Sequence, residues 1–521
     1  MTTTVATSAW EELVTSALLG TDRRPAPEGV ASLLDTAALH TVRRRAGLLA
    51  APAAVPPEPA AHDPRPALPA PARRRLAQLL ADRSGPSGAG GRRGTTPDLT
   101  ELLPQWLAAA GLHGYRAPAS LLPALLDAAR ARTDLRPQAL AFAGPRGLWL
   151  AGLNPEWKFA LRGAAGGAVL PPPSDTGAVQ HLWEEGLFAE RVALLASVRA
   201  AAPETGRTLL ASTWSTERAE DRLMFLDSLR TGLSEADEPF LEQTLSDRSR
   251  NVRSTAAELL SALPGSALAG RMAVRAATCV SPDRTGEGAG IVVEAPHECD
   301  AAMQRDGVVP TPPAGRGERS WWLGQLVEAA PLSVWPGRFG GRTPQQITDL
   351  AVSDDWGEEL HAAWCRAAVR QRDAEWARAL LGGPGTASLA ERAKLLATLP
   401  EDERADWVAE FIAAHGLSEA FQLLGVCAVP WAGPLGRAVV DSLEIARDAG
   451  SYPWSFSGVM GLAERCMDPT EASRFEALAA MPDEAEGAAP GAGGYWSEAF
   501  QRLVSTLRLR AAMLQELEAP A

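Results

Sequence analysis

Residues 203–233 and 234–264 can be laid over one another with a shift of 31 residues, and this internal repetition constrains the fold more than any other feature of the chain. In this register Leu210 corresponds to Leu241, Thr213 to Thr244, Trp214 to Leu245, Ser215 to Ser246, Arg222 to Arg253, Leu226 to Ala257 and Leu229 to Leu260. Each unit reads as a short helix, a turn and a longer helix. In the second unit Phe240, Leu241 and Leu245 form one apolar face. Val252, Ala256, Leu259, Leu260 and Leu263 form the other, with Ala256 and Ala257 small enough for close helix approach. Helices this short are not stable alone in water, so each face must be covered by its partner and by the next pair. Asp247, just before the longer helix, is placed to accept backbone hydrogen bonds at the positive end of the helix dipole.

The rest of the chain favours the same backbone. Alanine and leucine dominate, and 46% of residues are apolar against 22% charged, which fits a folded chain. The 47 glycines and 41 prolines fall mostly between periodic segments and act as stops. The expected class is therefore all-α, a HEAT-like array of helical hairpins (an α-solenoid) with irregular insertions.

Residues 1–49 hold N-terminal helices, the first over 8–20 with Ser8 as cap and Gly20 as stop, the second over 33–49. Residues 50–98 read as a proline- and glycine-rich linker enclosing a short helix at 73–81. Residues 99–180 read as helices at 99–114 and 117–131 followed by an irregular crossover over 142–178. The HEAT-like repeats occupy 181–280. Residues 281–320 form an irregular insertion in which IVVEAP is extended and Cys299–Arg305 begins a short helix. Residues 321–521 return to a helical array, with Thr343 capping a helix that starts at Pro344 and further helices at 388–398, 402–415, 434–447, 456–466, 470–480 and 495–517.

The formal charge of −13 disfavours general attraction to nucleic acid or anionic membrane. Local arginine clusters at Arg43–Arg45, Arg73–Arg75 and Arg92–Arg93 carry no interleaved aromatic residues and read as solvated or salt-bridged faces. The five cysteines are widely spaced, which makes neither a disulfide framework nor a C-x-x-C site. The N-terminus lacks the order of a secretory signal and no segment is a continuous apolar span, so the expected location is cytoplasmic.

No motif specifies a reaction. A phosphate loop, H-E-x-x-H and G-x-S-x-G are all missing from the sequence. His297-Glu298-Cys299 packs three potential ligands together, and Glu358 with His361 makes one E-x-x-H step without a second copy. No catalytic residue, metal or cofactor is assigned. The 16 tryptophans need an account. Trp214, Trp356, Trp364, Trp376 and Trp407 suit helix seams beside small alanines. Trp321, Trp322 and Trp335 border the irregular insertion and are the candidates for exposed, partner-binding anchors.

The opening WEELVTSALLGTDRR at 10–24, and the DRSRNVRSTAAELLSALPGSALAGRM block at 247–272, resemble the start and the central HEAT-like segment of an uncharacterised bacterial family, domain of unknown function 5691. That resemblance implies an accessory or adaptor role in an assembly with a MoxR-type AAA ATPase, a von Willebrand factor A domain protein or a SWIM zinc-finger protein, and it implies no catalytic residue. The expectation is a non-catalytic protein-binding scaffold or adaptor. The alternatives are an enzyme with an unrecognised helical active site and a nucleic-acid-binding helical repeat protein.

Overall fold

The computed structural model describes residues 3–20, 29–46, 57–81, 97, 99–163, 170–171, 173–283, 290–382, 388–480 and 491–518. It is mostly helical, 72% helix against 3% strand. The chain divides into two compact units, Met1–Ala61 and His62–Ala521.

In the first unit α1 (Thr3–Leu19) packs on α2 (Gly29–Arg45), with the Trp10 and His40 rings 6.3 Å apart. The expected stop is in place: Gly20 takes φ 79° and its N–H bonds the Ser16 carbonyl, a conformation that suits glycine because it lacks a Cβ.

The second unit begins with α3 (Ala70–Ala81), α4 (Leu99–Leu112), α5 (Leu122–Ala131), α6 (Arg136–Leu153) and α7 (Lys158–Gly163). The short helix expected inside the linker is α3, and it is packed: Ala72, Leu76 and Leu79 are buried against Leu103, Trp106 and Phe142. The glycine-rich part of that linker, 84–96 and 98, lies outside the described residues.

The crossover expected to be irregular from residue 142 is largely helical. Helix α6 runs through it with a kink at Gly144 (φ 59°, ψ −157°), and Pro145 follows as a residue that cannot extend the first half's hydrogen bonding. Arg65 covers the break by donating to the carbonyls of Ala141 (2.8 Å) and Phe142 (3.2 Å). Asp63 holds that guanidinium at 2.7 Å, and the hydrogen bond keeps the Asp63 carboxyl below its ordinary pKa. The Gly-Pro pair resets the helical phase, so apolar spacing read straight across it finds no period.

The next helices are α8 (Thr176–Glu185), α9 (Phe188–Ala201), α10 (Pro203–Thr213), α11 (Ala219–Ser228), α12 (Glu238–Thr244), α13 (Arg250–Ser261) and α14 (Ala267–Cys279). The 31-residue repetition has a structural counterpart. Arg222 donates to the carbonyl of Glu217 (3.0 Å) and Arg253 to that of Arg248 (3.1 Å), so each repeated arginine ties down the turn before its own helix. Asp247 accepts from the Ser249 N–H (2.8 Å) and also pairs with Arg222 (3.0 Å). Helix α12 packs on α13 as expected, but the main neighbour of α10 is α9, and α11 lies between α9 and α13.

The insertion after α14 is built rather than loose where it is described. Strands β1 (Val280–Pro282) and β2 (Gly290–Val293) pair antiparallel, and β2 pairs in parallel with β3 (Ala351–Val352). Helix α15 (Ala301–Arg305) follows β2, and Ile291, Val293, Met303 and Val308 are buried.

The chain then forms α16 (Glu318–Ala329), α17 (Val334–Arg338), α18 (Pro344–Thr348), α19 (Gly357–Gln371), α20 (Ala374–Leu381), α21 (Leu389–Leu396) and α22 (Glu401–His415). It ends with α23 (Leu417–Leu424), α24 (Gly433–Asp448), α25 (Ser457–Cys466), α26 (Ala472–Leu478) and α27 (Ala492–Glu518). Thr343 caps α18, accepting from Gln346 N–H, as the sequence implies. Helix α23 falls where no helix is expected, because Gly416 (φ 87°) both ends α22 and starts α23 without a proline or polar break.

One series of neighbours runs through most of this unit: α9, α11, α13, α14, α16, α19, α21, α23, α25 and α27 each pack on the next. At its end α27 also packs on α3 and α4. Trp496, Phe500 and Leu503 in its first half belong to the main core, whereas Met513 and Leu517 belong to the α3–α6 core. Arg75 pairs with Glu516 (2.7 Å) and Tyr115 Oη donates to the Leu517 carbonyl (2.9 Å) across that junction.

Candidate functional site

An open cleft of about 690 Å³ is lined by the α11–α12 turn, the end of α13, and helices α16, α19 and α21. Helices α13 and α21 stand four steps apart in the series of neighbours and still face the same space. The apolar part of its wall is Leu233, Leu259, Leu263, Val369 and Leu395.

Most charges on this wall are already matched. Arg230 pairs with Asp227 (2.7 Å) and Glu258 (3.1 Å). Glu328 on α16 accepts from Arg366 (2.6 Å) and from Arg370, both on α19. Gln371 bridges to the preceding turn, accepting from Leu332 N–H (3.0 Å) and donating to the Ala330 carbonyl (2.9 Å). Cys365 is buried behind the wall; burial, with the Glu391 carboxylate adding to it, pushes its thiol up to about 12. A thiol in that state is a packing group and not a nucleophile.

Arg372 ends α19 in the left-handed region (φ 54°, ψ 42°). Asp373 N–H bonds the Ala368 carbonyl (3.0 Å) over it, the Schellman arrangement, and Asp373 then caps α20 by accepting from Trp376 N–H. Lys394 stands on α21 across the cleft. Among the described residues neither the Arg372 nor the Lys394 side chain has a hydrogen bond or ion pair.

The tryptophans expected as exposed anchors do not form an exposed set. Trp335 is fully buried, edge-on to Trp364 at 5.7 Å, and Trp322 is 8% exposed. Trp321 is half-buried. Their indole N–H groups explain part of this placement: Trp321 donates to the Val309 carbonyl and Trp322 to that of Pro310, each at 2.8 Å, so the pair staples the insertion to α16. An aromatic residue beside an irregular segment has the same sequence signature whether it binds a partner or that segment. Of the seam candidates, Trp364 and Trp376 are buried, and Trp214, Trp356 and Trp407 pack partly buried on the core. The exposed tryptophan is Trp454, 55% exposed, stacked on Tyr452 at 4.0 Å beside a smaller cleft of about 380 Å³.

The other candidates are dispersed. Exposed His297 pairs with Glu294 (3.1 Å). Glu358 is exposed and His361 is buried, so the E-x-x-H step points its members into different surroundings. No cluster of three or more metal-ligating side chains occurs among the described residues. Arg75 is engaged by Glu516, Arg73 and Arg74 are exposed, and Arg92 and Arg93 lie outside the described residues. No described helix is long and apolar enough to cross a membrane.

Fold and cleft together define a mostly helical protein of packed helix pairs with a charged, open concavity. The model of a family of unknown function, DUF5691, matches residues 12–517, and the chain belongs to that family. No curated protein and no solved structure matches it.

Proposed function

We propose that this protein is a non-catalytic scaffold that holds a protein partner on a HEAT-like array of paired helices. The observation that carries the reading is the one series of nearest-neighbour packing from α9 to α27 in which α13 and α21 line one cleft. Stacked helices that curve around a shared concavity present contiguous surface to another chain without needing a deep, closed pocket. The cleft has matched ion pairs on a rigid framework and an apolar strip between them, the composition of a recognition surface. A cytoplasmic location is part of the proposal, and the five free cysteines are compatible with a reducing compartment. A MoxR-type ATPase, a von Willebrand factor A domain protein and a SWIM zinc-finger protein are the partners to test first.

Native pull-down of the tagged full chain followed by mass spectrometry is the direct test. A stoichiometric complex with one of these proteins is the expected result. A chain that is recovered alone across salt and nucleotide conditions overturns the reading.

A further inference from the structure

We infer that the cleft between α13, α19 and α21 takes an acidic peptide segment of a partner, with Arg372 and Lys394 as its cationic anchors. The inference rests on the scaffold reading and adds the chemistry of what is bound. In a chain of net charge −13, the cleft is lined by five cations, Arg230, Arg366, Arg370, Arg372 and Lys394. Among the described residues it is lined by only three carboxylates, Glu258, Glu328 and Glu391. Glu258 is matched by Arg230, and Glu328 by Arg366 and Arg370. Glu391 accepts from the Ser388 hydroxyl (3.2 Å). Glu391 keeps its charge, since a hydroxyl does not neutralise a carboxylate, and the two arginines on Glu328 leave one positive charge over. The two cations free to meet a ligand are Arg372 and Lys394, whose side chains carry no intramolecular pairing among the described residues.

The backbone at Arg372 points the same way. Its left-handed φ of 54° is the conformation that glycine takes at a helix C-terminus without strain. An arginine there gives up stability that glycine would keep, and what it supplies in return is a guanidinium at the mouth of the cleft. A guanidinium fork matches a carboxylate in a bidentate fashion, and an ammonium adds a second, less directional charge. Between the cations the wall offers the partly exposed side chains of Leu233 and Val369, backed by buried Leu259, Leu263 and Leu395, and these suit apolar residues placed between acidic ones.

Peptide is favoured over nucleic acid by the lining of the cleft: among the described residues no aromatic ring lines it for a base to stack on.

The test uses the full chain and a fluorescein-labelled peptide of glutamate, leucine and alanine, with a control in which each glutamate is glutamine. Anisotropy is expected to show salt-sensitive binding of the acidic peptide and weaker binding of the control. The double variant R372G/K394Q is expected to lose about tenfold or more in affinity, while its melting temperature stays the same or rises. A structural role for Arg372 predicts the opposite movement in melting temperature. Equal binding of the two peptides by the wild type overturns the inference, as does unchanged binding by the double variant, or displacement of the peptide by single-stranded DNA at lower concentration than by unlabelled peptide. Using both proteins as bait separates this inference from the scaffold reading. A complex captured equally by both removes the cleft and keeps the scaffold, whereas charge-dependent peptide binding with no captured complex keeps the cleft and removes the scaffold.

Discussion

Replacing Arg199 with methionine tests whether the α9–α12 region is held by a buried polar hub. Arg199 and Asp237 are both fully buried. The guanidinium donates to both Asp237 oxygens (2.9 Å each) and to the carbonyls of Pro203 (2.7 Å), Leu229 (3.2 Å), Thr231 (3.1 Å) and Gly232 (3.0 Å). One side chain thus satisfies the start of α10, the end of α11 and the turn before α12. Methionine keeps the hydrocarbon stem and removes every donor. Breaking a buried ion pair from one side costs about 3–5 kcal/mol. Stranding several carbonyls pushes toward the upper end, at about 1–3 kcal/mol for each that stays dry. Asp237 keeps the Ser234 N–H (3.1 Å) and the partly exposed Arg207 (3.3 Å), which pulls the cost back. We therefore expect a loss of about 3–5 kcal/mol. Because helical arrays need not unfold in one step, the readout is hydrogen exchange over residues 188–244 alongside urea unfolding by circular dichroism. Adding Asp237→Leu to the methionine variant is expected to recover part of the loss, since no unpaired carboxylate then remains. A loss under about 1 kcal/mol in the single variant, with unchanged exchange, would refute the reasoning.

Three further outcomes follow from the packing of α19 and its neighbours. Trp364→Ala, at a ring buried against Trp335 and Trp376, is expected to lower stability by about 3–5 kcal/mol. Trp364→Phe should cost much less because the indole N–H it removes has no acceptor, and equal losses by urea titration would contradict this. His361 is buried, and burial lowers its pKa below the ordinary value of 6.5. The unfolded chain then takes up the proton first, so stability should fall as pH drops from about 6.5 toward the lowered value, by at most about 1.4 kcal/mol per pH unit. Urea midpoints of the wild type and His361→Gln between pH 7.5 and 5.5, with no flattening in the variant, would count against it. Burial raises Cys365 to about 12 and Cys427 to about 11. At pH 8 native protein is expected to be alkylated by iodoacetamide at half-buried Cys299 well before these two, as peptide mapping would show.

Helix positions were legible because their causes are local. Ser266, Thr343, Asp373 and Ser388 each accept a hydrogen bond from a residue three positions on, and such caps announce themselves in the sequence. The 31-residue register was legible for the same reason and aligned Arg222 with Arg253, but that both tie the turn before their helix is seen only in the structure. Less could be read of the site. Trp321 and Trp322 looked like anchors, and only coordinates show that Val309 and Pro310 occupy their indoles. Arg372 carried a faint signal, a charged residue where a helix-to-helix turn calls for glycine, but nothing in the sequence places Lys394 opposite it.

The sequence by itself determined that this chain is mostly helical and where many of its helices lie. A helical hydrogen bond spans four residues, so these outcomes are written in neighbouring side chains. Tertiary structure alone decided that α27 joins the core of α3–α6 to the end of the series, that Arg75 meets Glu516 across 441 residues, and that α13 and α21 share a cleft. Apolar faces specify that they must be covered and leave open by what, and the choice is made by the shape and charge of surfaces that come together only when the whole unit packs.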